Sequence, residues 1–555
     1  MIPAADVVEI ATAARRSAGA LHQRRREVRD LYLGDVVVPL SELYADEQAA
    51  TANLLQQGLD GTAQRIASTA PHISWHPLRP GFKQHEDRAR QQRAVSLGWH
   101  EANAMDLIRY RRARHIIGYA ESPVEIRWDR KRMIPCWGVR DPLDTFCAPP
   151  SRLDDMTPAW TVHCYTRSMD WLRRHYPDAF VLLRPADWRP GSASVVEVVE
   201  YHDASETVLV ATGQRSAVDG FSLDPYSGQM AVLLDRAPNP VGRPLVVVPG
   251  RIGLTEQRRG QMDGMVGKYI RQARLDALEL IAIEQGIFPK TWLIAHPNEV
   301  PMIVTKADPR NGIVGKVTGG DIFTQQLNPG YKTREARADL ERAQRIEGGV
   351  SATMTGETIS GARTARMSDA VEGGQLDFGN REIQKILARS EQAELEIAAE
   401  LAKAFAGNVS VSMYVAGKGS KGPVSYKADD LFGERCAVSV EYAMAGADLN
   451  QQVVRTGQKL SLNLISEQSA REQDPEVQDA ELEKDRITVE GLEKAVLTGL
   501  QQLAVSAGEN PGVLDQVLRV SELVITDKHE LIAAAIKASA EAREAQAAVA
   551  PPAPE

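Results

Sequence analysis

Between Leu254 and Phe405 the sequence alternates long helical periodicity with short β-rich runs, in an order that no self-contained globule satisfies. Met262, Met265, Val266, Tyr269, Ile270, Ala273, Leu278 and Ile281 recur at spacings of three and four, which predicts a helix over Glu256–Gln285. Gly286 supplies a stop and Pro289 follows it. Thr291–Ala295 and Pro301–Thr305 read as β-rich runs, followed by a turn-rich excursion from Asp308 to Gly330. Helical pattern returns at Thr333 and breaks at Gly348-Gly349 into a segment of Gly, Ser and Thr ending at Gly361. It then runs on as one long helix to Phe405. Two helices flanking a small β unit, then a loop, then a long helix make a rod with a tip and a finger. Strands this short are not stable alone and an amphipathic helix must cover its stripe, so such a shape needs neighbours.

Composition narrows the function classes. A chain of 555 residues exceeds what one core accommodates and divides into several lobes. The formal charge of −9 is uneven: residues 465–555 hold 18 acidic and 8 basic groups, and the remainder, with 57 basic against 56 acidic, is near neutral. That is not the footprint of a basic nucleic-acid binder; contact with DNA would be loose. The start of the chain lacks the basic-then-apolar pattern of a secretory leader, and no apolar run is long enough to span a membrane. Cys136, Cys147, Cys164 and Cys436 match no zinc spacing and read as reduced thiols of a cytosolic protein.

Residues 1–72 read as helical, with Arg15, Arg16, Arg24, Arg25, Arg26 and Arg29 expected on a solvated face. Residues 73–250 read as mixed α/β, with strands at Val124–Trp128, Ser194–His202, Thr207–Thr212, Gln229–Leu234 and Leu245–Val248. Residues 105–140 hold nine basic and four acidic groups, the densest basic patch, suited to phosphate or, as the favoured reading, to acids of a neighbouring subunit. Val409–Val415 alternates like a strand, and Cys436–Tyr442 is its expected partner. Helices are expected at Asn450–Ser466, Asp474–Ser506, Asn510–Val520 and Asp527–Ala548, before a disordered tail over 549–555.

Chemistry-bearing motifs fail on context. Gly417–Gly422 fits G-x-G-x-x-G literally, but Pro423 follows and no helix begins there, so a hairpin loop is the reading. Gly312–Lys316 lacks the earlier glycine of a phosphate loop and the hydroxyl residue after the lysine. His72 and His76 lie between Pro71 and Pro77, where a two-ligand helical face is not expected. No catalytic residue, metal or cofactor is expected.

The order of elements from 254 to 405 resembles the tailed-bacteriophage portal proteins. Arg29–Gly34, Asn53–Asp60, Ile66–Pro71, the helix Met105–Gly118, the strand Ser122–Trp128, the Arg140–Pro142 turn and Pro244–Pro249 extend the resemblance over roughly residues 20–500. It implies an α+β fold with a mixed wing (1–255), a stem helix (256–288), a clip (289–331) and a second stem helix (332–349). A tunnel loop (350–361), a long helix with the rest of the wing (362–465), a helical crown (466–548) and the tail (549–555) would follow. The implied activity is a non-enzymatic conduit: a homo-oligomeric ring, twelve-fold in the family, passing double-stranded DNA at one capsid vertex. The implied partners are the large terminase subunit, head-completion and tail adaptors, and the major capsid and scaffold proteins, with no membrane. The implied location is the virion, with assembly in the host cytoplasm. The tunnel-loop candidates are Val350, Ser351, Thr353, Met354, Thr355, Thr358 and Ser360. The channel-facing candidates are Lys332, Arg334, Arg337, Arg342 and Arg345, with intersubunit pairing to Glu335, Asp339 and Glu341 as the competing role. The clip docking candidates are Lys290, Trp292, Lys306, Arg310 and Lys316. The alternatives are a packaging enzyme (terminase or nuclease) and a structural adaptor that conducts no DNA.

Overall fold

The computed structural model describes residues 1–40, 53–68, 70–77, 82–149, 156–185, 188–213, 230–251, 258–287, 291–295, 302–303, 317–318, 320–324, 331–348, 365–415, 422–433, 437–442, 449–467 and 480–506, with short stretches beside these. The fold mixes helix and sheet. It divides into two compact units, one of Met1–Ala416 with Gly422–Leu449, the other of Gly417–Lys421 with Asn450–Glu555.

The first unit is built on a five-stranded antiparallel sheet of order β4 (Thr145–Cys147), β5 (Trp160–Ser168), β6 (Val195–Asp203), β7 (Glu206–Gly213) and β8 (Met230–Pro238). Side chains alternate across a strand, and β6 uses both faces. Val199 and Tyr201 pack beneath α1 (Ala4–Leu33), while Val196 and Val198 pack against the short helices α5 (Met169–His175) and α6 (Pro177–Leu183). Glu200 and His202 continue the second of these faces. Beside it lies a three-stranded sheet, β3 (Ile134–Val139), β2 (Val124–Asp129) and β9 (Val246–Val247).

Three helices and the long helix close the unit. α2 (Leu54–Ala67) starts at Asn53, whose side-chain oxygen accepts from the Gln56 N–H at 3.0 Å, a cap readable in the sequence. α2 and α4 (Met105–Tyr119) pack with α7 (Asp263–Ile287) and α9 (Ala365–Phe405) through Leu55, Leu59, Ile116, Met265 and Leu387. A second core gathers α3 (Lys83–Ala102) and α9 around Trp99, whose ring stacks on Phe432 at 5.4 Å.

The strands expected over 73–250 are present as β2, β6, β7, β8 and β9; β3, β4 and β5 are additions to that set. Two further expectations are corrected. Cys436–Tyr442 does not pair with Val409–Val415: β14 (Ser410–Val415) forms a hairpin with β15 (Gly422–Lys427), and β16 (Val438–Tyr442) pairs with β1 (Pro71–Trp75). The hairpin flanks the glycine-lysine loop, as read from Pro423. A local hairpin closes at little entropic cost, whereas the pairing of β1 with β16 depends on tertiary packing.

The helix expected over Glu256–Gln285 does not begin at Glu256. Residues 252–257 lie outside the described residues, and Arg258–Gly260 is irregular before α7 starts at Asp263. Gln261 donates its N–H to the Ile117 carbonyl at 3.0 Å, and a Cβ on Gly260 would lie 2.4 Å from the Gly118 carbonyl oxygen. That close approach holds the chain against the end of α4 and delays the helix.

In the second unit, α11 (Leu449–Ser461) stops short of the expected Ser466, because Asn463 adopts a left-handed φ of 54° and the Leu464 N–H turns back to the Lys459 carbonyl at 2.9 Å. α12 (Ala480–Ser506) follows; the remainder of the other expected helices lies largely outside the described residues. Among the described residues no helix is long and apolar enough to cross a membrane.

Candidate functional site

The segment singled out by the sequence is realised as a helical hairpin with a β tip. α7 leads to β10 (Thr291–Ala295), β11 (Met302–Ile303), β12 (Val317–Thr318) and β13 (Gly320–Thr324), and α8 (Tyr331–Gly348) returns. β10 pairs antiparallel with β13 and β11 with β12, so the region read as a turn-rich excursion contributes two of the four strands. Gln344 of α8 donates to Gln272 of α7, and Arg337 pairs with Asp276 at 3.2 Å and Glu279 at 3.6 Å. Numbering that rises on one helix and falls on the other makes the pair antiparallel.

These contacts sort the channel-facing candidates. Arg337 is engaged by α7, and Arg345 pairs with Glu341 at 2.7 Å within its own helix. The Arg345–Glu341 contact lies within one helix, whereas the sequence reading placed such pairing between subunits; Arg337 meets Asp276 and Glu279 of the same chain. Arg342 is exposed. The side chains of Lys332 and Arg334 lie outside the described residues, as do Lys290, Lys306, Arg310, Lys316 and all of Val350–Ser360. Trp292 stands on β10 opposite Phe323. α7 also keeps Leu278, Leu280 and Ile283 exposed, at 44%, 57% and 45%. Apolar side chains left uncovered on a structural helix mark an interaction surface when they cluster.

Beyond the loop, α9 is held to α4 by two buried ion pairs that sequence reasoning missed. Arg109 meets Glu391 at 2.9 Å and Arg112 meets Glu394 at 2.6 Å. Tyr442 adds an O–H bond to Glu391 at 2.6 Å, and Trp137 donates its indole N–H to Glu394 at 3.0 Å. Burial alone would raise Glu391, but Arg109 overrides it and holds the carboxyl at about 2. For Glu394 burial wins, and its carboxyl is pushed up despite Arg112. A signal was present: Arg109 and Arg112, like Glu391 and Glu394, are three residues apart on otherwise apolar helical faces.

The reading of the basic patch at 105–140 is therefore corrected in part, Arg111, Arg130, Lys131 and Arg132 staying exposed. Arg109, Arg112, Arg114 and Arg140 find acids in their own chain, Arg114 on Asp60 at 2.8 Å and Arg140 on Glu200 at 2.8 Å. The N-terminal arginines are corrected in part. Arg24, Arg26 and Arg29 are exposed, but Arg25 is buried, donating to the Pro142 carbonyl at 3.1 Å and pairing with Glu121 at 2.7 Å. Both sets were pulled inward because a buried carboxylate needs a cation and guanidinium is the least hydrated one at hand.

Two clusters resemble reactive sites. Glu125, Glu200 and His202 bring ligand atoms within 4.8 Å of one another. Arg140 already takes the cation's position, hydrogen-bonded to both carboxylates. Against the effect of burial, His202 and Arg140 hold Glu200 well below the usual carboxylate range. A cavity of about 670 Å³ beside α1 is lined by His22, Cys147 and the Glu121–Arg258 pair. Burial lowers His22 to about 4 and raises the Cys147 thiol to about 12, so both are neutral near pH 7 and form no thiolate–imidazolium couple.

Compared with protein-family models and with curated protein sequences, the chain finds no match in either.

Proposed function

We propose that this chain is a ring-forming portal subunit, a conduit for double-stranded DNA at one capsid vertex rather than an enzyme. The observation that supports the reading most is the helical hairpin α7–α8 with its four-strand tip, entered from the wing and left through residues 349–364 into the 41-residue helix α9. In this reading α7 and α8 are the stem, 289–331 the clip, 350–361 the tunnel loop, and 466–548, with α12, the crown. Leu278, Leu280 and Ile283 of α7 suit the heterologous subunit contacts that a cyclic ring repeats. Terminase and later the head-completion and tail adaptors would dock on the clip, and the capsid and scaffold proteins on the wing. The packaging-enzyme alternative gains no support from the Glu125–Glu200–His202 cluster, whose two carboxylates Arg127 and Arg140 already balance.

Native mass spectrometry with negative-stain imaging tests the assembly. The expected result is a closed ring with an axial hole; a monomer or dimer at micromolar concentration overturns it.

The channel lining has its own test. With Arg337 and Arg345 engaged inside the chain, Arg342 is the described arginine of α8 left for the lumen. Arg342→Gln is expected to change DNA retention while rings still form, because each subunit's charge is repeated around the channel. In the loop, small hydroxyl side chains slide along phosphates without ionic trapping. Thr353→Arg with Thr355→Arg is expected to stall packaging in intact rings, read by DNase-protected DNA. Normal packaging by the doubly substituted ring would remove the loop from the constriction.

A further inference from the structure

The strongest unassigned feature lies on the wing, where α5, α6 and the segment after them pack on the five-stranded sheet. Arg167, Arg173, Arg174, Arg184 and Arg189 are all exposed there, and none forms an ion pair with a described carboxylate. This contrasts with Arg109 and Arg112 of α4, which are buried on acids. Of the two described acids in the same stretch, Asp170 is occupied by the Gly191 N–H at 3.0 Å, and Asp178 is exposed in the first turn of α6. Counting Asp187, which lies outside the described residues, residues 167–189 carry five arginines against three acids, in a chain whose formal charge is −9.

The arginines are not simply solvated. The Arg167 guanidinium lies 4.8 Å from the Tyr165 ring centre and 5.9 Å from that of Trp171, and Arg173 lies 5.7 Å from Trp188. The rings are themselves packed, Trp171 on Tyr176 at 5.6 Å and Trp188 edge-on to Phe180 at 4.7 Å. Arg167 and Arg173 are thus held in place before any partner arrives, which lowers the ordering cost of binding for these two. Next to Phe180, Val181 and Leu182 are 63% and 57% exposed. Arginine and tryptophan beside uncovered aliphatic side chains are the composition of protein-binding hot spots.

We propose that this face of the wing docks a protein segment that presents apolar side chains flanked by carboxylates. Charge complementarity requires the acids, and Val181 and Leu182 require the apolar residues. A nucleic acid would satisfy the arginines but leave both aliphatic side chains in water, so it fits less of the surface. The inference is independent of ring formation: the face belongs to one subunit and is read on the chain alone.

The probe is a fluorescein-labelled helical peptide with leucines on one face and glutamates on its flanks, titrated by anisotropy against the full chain. A peptide with serine for leucine and a double-stranded oligonucleotide are the comparators. The expected result is saturable binding to the leucine peptide, weakened about ten-fold or more by Arg173→Glu with Arg184→Glu and likewise by Val181→Ser with Leu182→Ser. All four side chains are exposed, so the variants are expected to keep the wild-type far-ultraviolet spectrum. The salt dependence of wild-type binding is a second readout that needs no variant; added salt should weaken binding to the leucine peptide without abolishing it. Absence of saturable binding, equal binding of the serine peptide, or tighter arginine-dependent binding of the oligonucleotide would each overturn the proposal, the last in favour of a phosphate surface.

Discussion

Arg112→Ala is expected to lower the stability of the first unit by about 3–5 kcal/mol, more than any other single exchange named for this chain. The side chain is fully buried and makes two bonds to Glu394, at 2.6 and 3.1 Å, and one to Ser390 at 2.8 Å. Its truncation leaves the Glu394 carboxyl enclosed without a cation. Burial already pushes that carboxyl up, and losing the guanidinium pushes it further the same way, so protonation limits the penalty. Arg112→Met combined with Glu394→Leu should recover most of the loss, since apolar groups of similar volume carry no desolvation cost. Denaturant unfolding followed by tryptophan fluorescence reads both variants. A single-variant loss under about 1 kcal/mol would show instead that water relaxes the pair.

The second large effect is acid destabilisation between about pH 6.5 and pH 4, set by histidines rather than by carboxylates. His100, His22 and His163 are lowered to about 3, 4 and 4, in each case chiefly by burial and next by an adjacent arginine: Arg109, Arg25 and Arg140. His100 accepts from the Arg109 guanidinium at 3.0 Å, so protonating it would set two cations in contact. The unfolded chain protonates its histidines near pH 6.5 while the folded one does not. The unfolded state then holds more protons, and stability must fall as pH falls. Each tenfold loss of proton affinity on folding is worth about 1.4 kcal/mol, so the three histidines together cost on the order of several kcal/mol by about pH 4. Glu391 behaves separately: held at about 2, it keeps its contribution until the pH drops below the ordinary carboxylate value. Thermal melts from pH 8 to pH 4 check this, and His100→Gln should flatten the dependence. A midpoint unchanged down to pH 4.5 would contradict it.

Much of the local structure was legible in the sequence because local rules carry it. Asn53 capping α2, the valine alternation of β6 and β7, the helix–β–helix order of 256–348 and the hairpin around Pro423 all rest on interactions within a few residues. The strand β5 is not legible in this way, because its run, Trp160–Ser168, mixes His, Cys and Thr with its apolar residues and lacks a clean alternation. The start of the first stem helix is hidden too, because nothing local shows that Gly260 is pressed against the Gly118 carbonyl.

The sequence by itself determined that the molecule is mixed α and β, where many of its helices and strands lie, and the helix–β–helix order of 256–348. Only the tertiary structure decided which strand pairs with which across hundreds of residues, and which arginines are buried. Charge patterning counts cations but not their partners: Arg109 and Arg112 are enclosed because Glu391 and Glu394, 282 positions away in each pair, need them. Arg167 and Arg173 look the same in the sequence and remain at the surface on aromatic rings. The difference is desolvation, a cost set by the whole surroundings of a charge rather than by its neighbours along the chain.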